Sequence, residues 1–213
     1  MRKKLLIVLS FFILLNIQNK SFATEQKVEY FFNKKPYISP RIIQDLSTWI
    51  SDGGDQVVAI NLKDSQGSNR YFGDVFVNGT EGKSPFVYTE KGSESFGYRY
   101  VGVTDSGVYV LYFEDDTGGS GSFRSLMFVI FEHDKGITID WDNSSINSTK
   151  ERLLIKKLGE VALGDRWFGD LKLEGNKLYI GKDKGWFTKS GGTGGGDLSY
   201  DLKNRIIEIN IKK

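Results

Sequence analysis

The chain has 213 residues, no Cys, a single His, and 29 Lys+Arg against 27 Asp+Glu. The absence of Cys excludes thiol nucleophiles, thiolate metal sites and disulfide staples, so the fold must rest on an apolar core. Four of the basic residues (Arg2, Lys3, Lys4 and Lys20) precede Thr24 with no acid among them; the rest of the chain keeps 25 bases against 27 acids, a net charge of −2 that gives no electrostatic case for a nucleic-acid partner.

The N-terminus reads MRKK, then LLIVLSFFILL, then NIQNKSFA. A basic start, a short apolar run and a small-x-small ending at Ala23 are the layout of a cleavable secretory signal. The apolar run of eleven residues is shorter than the ~20 that span a bilayer core of about 30 Å. The expected organisation is therefore a signal peptide over residues 1–23 and one β-rich domain over 24–213. The expected location is periplasmic or secreted, with no integral membrane segment left after cleavage. The plain leader and the Lys/Asn/Ile-rich usage point to a bacterial host.

Next comes the only segment with helical periodicity, SPRIIQDLSTWISDGG. Ser39 can cap, Pro40 suits the first turn, and Ile42, Ile43, Leu46, Trp49 and Ile50 share a face. The spacing predicts a helix over Pro40–Ser51, stopped by Gly53 or Gly54. Strands are predicted after it at Gln56–Leu62, Tyr71–Val77, Phe86–Thr89, Phe96–Thr104, Val108–Glu114, Phe123–His133, Ile137–Trp141, Arg152–Leu163, Trp167–Glu174, Leu178–Gly181, Leu198–Leu202 and Ile206–Ile211. Glycine-bearing turns such as TDSG, HDKG and EGN separate them at hairpin spacing. GVYVLYF and SLMFVIF are apolar on both faces and should lie centrally, covered on both sides. The fold class expected is mainly β, an antiparallel sandwich or barrel-like form, with one N-terminal helix. RYFGDVFVNG (70–79) and RWFGDLKLEG (166–175) share five of ten positions; two similar hairpins in a β-rich fold are the preferred reading, over a weak two-part repeat.

Few residues suggest chemistry. DDTGGSGSFRSL (115–126) has a glycine-rich loop, but no Lys follows it and a strand comes next, so it does not match a phosphate-binding loop. Neither Ser120 nor Ser122 has the G-x-S-x-G frame of a nucleophile elbow. His133, in FEHDKGIT, is expected at a hairpin tip. No catalytic residue is assigned. No cofactor is expected, and calcium is the one metal whose pattern is approached: Asp140, Asp142, Ser144 and Glu151 fall at positions 1, 3, 5 and 12 of an EF-hand-like loop, although position 6 is Ser145 where the sharp turn wants Gly. The loop GKDKGWFTKSGGTGGGD offers Trp186 and Phe187 as anchors, because its glycines cannot build a core around them. Trp167 and Arg166 are further candidate binding residues.

GGSGSF (Gly118–Phe123), an apolar strand, LGDR (Leu163–Arg166) and LKLEGNKLYI together resemble a pattern in uncharacterised secreted bacterial proteins, where a GGSG-aromatic turn leads a buried strand and a GDR turn comes a few dozen residues on. The resemblance covers roughly Val108–Ile180 and implies no activity. It favours a structural loop in which Gly118, Gly119 and Gly121 allow positive φ. The function expected is that of an exported non-catalytic binding protein of the cell envelope, whether inhibitor, immunity-type protein or envelope interaction factor, with an envelope protein or glycan as partner. The alternative is a glycan-binding module or a hydrolase working through two carboxylates.

Overall fold

The computed structural model describes residues 32, 35–47, 56–63, 71, 73–79, 82–184 and 204–211. The signal segment, and the predicted strand Leu198–Leu202, lie outside them. The chain divides into two compact units, Met1–Ile38 and Ser39–Lys213, and the second holds the helix and all the strands named below.

One helix, α1 (Pro40–Leu46), opens this unit, with Pro40 in its first turn as expected and Pro40, Ile42, Ile43 and Leu46 buried. Ser39 makes no side-chain cap; its carbonyl accepts from the Ile42 amide at 3.0 Å instead. Ser47 ends the helix, so the described part is shorter than the segment Pro40–Ser51, whose last residues lie outside the description.

Among the described residues ten strands come after it: β1 (Ala59–Asn61), β2 (Phe76–Asn78), β3 (Phe86–Lys91), β4 (Glu94–Val103), β5 (Tyr109–Asp116), β6 (Ser122–Asp140), β7 (Ser145–Asp165), β8 (Leu171–Glu174), β9 (Lys177–Ile180) and β10 (Arg205–Glu208). They form a seven-stranded sheet in the order β1-β7-β6-β5-β4-β3-β2 and a three-stranded sheet in the order β10-β9-β8. Every pairing is antiparallel. Among the described residues the chain is thus mainly β, with antiparallel sheets and one short helix in the second unit. The two near-repeat segments stand in different sheets, β2 at an edge of the large one and β8 at an edge of the small one.

The doubly apolar strands are central. Tyr109, Val110, Leu111, Tyr112 and Phe113 of β5 are all buried. One face of the sheet, with Val110, Tyr112 and Leu126, meets Leu178 and Ile180 of the small sheet, and Leu163 and Trp167 complete that core. β8 lies so close to β4 that a Cβ on Gly102 would stand 2.8 Å from a Leu173 methyl, which would have to move aside. On the other face, Tyr98, Leu111 and Met127 are buried, and α1 packs against β3 and β4.

The largest departure from the sequence reading is the β6–β7 hairpin. The predicted strands Phe123–His133 and Ile137–Trp141 merge into one continuous strand that ends at Asp140, and HDKG is not a turn. Gly136 stays paired, with Lys150, and the register shift between Gly136 and Thr138 places one extra residue on the β7 side as a bulge. Cross-strand charges hold the flanks: Asp134 pairs with Arg152, and Lys156 with Glu132 at 2.9 Å. The actual turn is Trp141–Ser144, with Ser144 at φ 48°. His133 therefore sits exposed within a strand, opposite Leu153, and not at a tip.

Candidate functional site

The GGSG and LGDR motifs meet in space. Thr117–Gly121 connects β5 to β6, and Arg166 follows β7 in a turn with φ 50°. Asp165 Oδ1 accepts from the Ser122 amide at 2.8 Å, and the Arg166 amide donates to the Ser122 carbonyl at 2.7 Å. The Arg166 guanidinium donates to the Ser120 carbonyl and lies 3.4 Å from Asp165. Arg166 is thus a clasp on the GGSG loop. Of the three glycines, only Gly118 has positive φ, at 75°; a Cβ there would also meet the Ser93 hydroxyl. Gly119 has open space around it and Gly121 faces the Phe123 ring, so the left-handed requirement belongs to one residue and not to three.

Trp167 is 4% exposed and leaves no face for a partner. Its ring centroid is 6.2 Å from that of Tyr112, and its carbonyl accepts from the Arg124 guanidinium. Arg124 also lies 3.6 Å from Glu114, which accepts from the Tyr112 hydroxyl at 2.6 Å. Burial, then the charge of Glu114, pushes the Tyr112 phenol well above its ordinary range, so it stays a neutral donor. This is a structural network. Trp186 and Phe187 lie outside the described residues.

The four calcium candidates are spread along the β6–β7 hairpin. Asp140 spends its carboxylate on the turn: Oδ1 accepts from the amides of Asp142 (3.1 Å) and Asn143 (3.2 Å), and Oδ2 from the Asn143 side chain (2.9 Å). Ser144 forms the turn's last position, while Glu151 stands opposite Lys135 and pairs with Lys63 at 3.5 Å. The polar alternation that resembles a calcium loop is a hairpin turn and one of its flanks. Among the described residues, no group of three or more ligating acids or His gathers.

Two features remain that carry more functional weight. The first is a cleft of ≈ 510 Å³ bounded by α1, the β3–β4 hairpin and the end of β5. Arg41, Glu90, Glu94, Asp115 and Asp116 line it, with Phe96 among the apolar lining. Burial, then the charges of Asp116 and Glu94, raises the Asp115 carboxyl above the usual carboxylate range. A raised carboxyl grouped with other acids in a cleft is the kind of arrangement from which two-carboxylate chemistry is built.

The second is the far end of the β6–β7 hairpin. Past Ile130, β6 has no partner on its outer side in β5, whose pairing ends at Val129; past Leu154, β7 likewise leaves β1. This end carries Ile137 (63% exposed), Ile139 (47%), Ile146 (70%) and Trp141 (81%). Ile139 and Ile146 are directly opposite, so they share a face, and Trp141 begins the turn next to them. An indole at the tip of a projecting hairpin, flanked by isoleucines, is an anchor shaped for another surface. Sequence reading missed it because Asp140 and Asp142 drew attention to oxygen ligands and away from the tryptophan between them.

No protein-family model, curated protein or solved structure matches the chain.

Proposed function

We propose that this is an exported, non-catalytic binding protein of the bacterial cell envelope, acting on a protein partner through the tip of the β6–β7 hairpin. The observation that carries the reading is the concentration of Ile137, Ile139, Trp141 and Ile146 at one solvent-exposed end. Large apolar side chains are normally scattered over a soluble surface; gathered and presented by rigid paired strands, they mark a contact site. The exposed acid Asp142 beside Trp141 favours a protein over an anionic lipid surface. The pattern of a secretory leader supports a contact made outside the cytoplasm. Among the described residues, no helix is long and apolar enough to cross a membrane.

A photo-reactive amino acid in place of Ile139 should cross-link to one discrete envelope protein, and the same group in place of Lys177, on the small sheet, should not. Equal labelling from both positions would sink the proposal. The Asp115 cleft supports a second reading, a glycan-active protein. If the purified chain cleaves an envelope polysaccharide and Asp115→Asn abolishes cleavage, that reading replaces the first.

A further inference from the structure

A smaller cavity, ≈ 230 Å³, lies where the β2–β3 turn, the middle of β4 and the approach to β8 converge, and it uses none of the hairpin-tip residues. Its lining is Gly82, Lys83, Ser84, Arg99, Tyr100, Val101, Gly169 and Leu171. Two cations from different elements thus enclose one space whose described lining contains no acid.

Nearby acids are already engaged. Asp170 pairs with Lys184, whose ammonium, more than that of Lys83, holds the Asp170 carboxyl below its usual range. Glu114 accepts from Tyr112 and faces Arg124. Arg99 rests its guanidinium 5.1 Å from the centroid of the Tyr112 ring, which steadies the cation without neutralising it. Neither Arg99 nor Lys83 forms a close ion pair among the described residues, although Lys83 is near enough to Asp170 to act on its carboxyl. A half-buried guanidinium held over a ring, with an ammonium, a serine hydroxyl and glycine backbone around the same space, is a preorganised oxyanion receptor. The volume is below the ~300–1,000 Å³ of sites that enclose a whole drug-sized ligand, so it suits one group and not an entire cofactor. With Asp170 paired to Lys184, the two cations still leave this space net positive, which suits an oxyanion.

We infer that this cavity binds a phosphate group, either free or borne on a larger envelope molecule. The inference is independent of the hairpin-tip reading. The test is calorimetric titration of the whole mature chain with inorganic phosphate at fixed ionic strength, beside co-sedimentation with phosphatidylglycerol vesicles. Wild type should bind at least one of the two probes. Arg99→Gln and Lys83→Gln should each weaken that binding at least tenfold, while Lys177→Gln, an exposed lysine outside the cavity lining, should leave it nearly unchanged. Phosphate binding without sedimentation identifies a soluble source; sedimentation lost in Lys83→Gln identifies a lipid headgroup. Lys83 is exposed in a turn, so its variant remains informative if Arg99→Gln folds poorly. The inference is overturned if neither probe binds, or if Lys83→Gln binds as wild type does.

Discussion

Trp141 and Trp167 should behave as opposites when each is replaced by Ala. Trp167 is 4% exposed and packed into the core between the two sheets. A large aromatic buries about 150–250 Å²; at about 25 cal/mol per Å² its removal forfeits roughly 4–6 kcal/mol of transfer free energy. Partial collapse of the site and residual burial in the unfolded chain reduce this, and large aromatic truncations in cores cost about 3–5 kcal/mol. That is a large share of the ~5–15 kcal/mol that stabilises a typical domain. For a chain of this size each kcal/mol shifts Tm by about 2–4 °C, so Trp167→Ala should melt roughly 6–20 °C below wild type. Trp141 is 81% exposed, and Trp141→Ala should stay within about 0.5 kcal/mol of wild type. Urea denaturation followed by far-UV circular dichroism measures both. Equal destabilisation by the two substitutions would refute the assignment of one indole to the core and the other to solvent.

Gly118→Val should destabilise by about 1–3 kcal/mol, because φ 75° strains a β-branched residue, whereas Gly119→Val should change Tm little; the reverse order in a thermal melt would contradict the loop geometry. Asp115→Asn should raise Tm at pH 7. The Asp115 carboxyl is raised in the fold, so the folded state holds its proton to higher pH than the unfolded state does. Ionising it at neutral pH therefore weakens the native state, and this penalty fades as pH falls. The gain in Tm should accordingly shrink toward pH 4; a gain that grows on acidification would reverse the sign of that shift.

How much of the fold is legible in the chain alone depends on how local each signal is. GVYVLYF identifies a doubly covered strand because burial on both faces removes alternation, and Tyr109–Phe113 are buried without a break. HDKG misleads because its composition is that of a turn, while the partners that keep it extended, Arg152 and Leu153, lie eighteen to twenty residues on. The Asp115 cleft is invisible in the sequence for the same reason: Arg41, Glu94 and Asp115 come from three separate elements. The GGSG and LGDR motifs are legible as short patterns, but not as one clasp, since Ser122 and Asp165 are 43 residues apart. Asp140 stands out in the sequence as a polar residue with a task; the task is to hold the turn, with its oxygens taken up by Asp142 and Asn143.

The central claim is that the hairpin tip is the contact surface. Its most direct test is affinity capture from an envelope extract with three immobilised proteins: wild type, Trp141→Ala and Ile139→Ser/Ile146→Ser, each first shown to melt at the wild-type temperature. The account predicts one stoichiometric protein partner retained by wild type, at least tenfold less of it on each tip variant, and recovery of binding when Trp141 is replaced by Phe. A partner retained equally by all three proteins would contradict it.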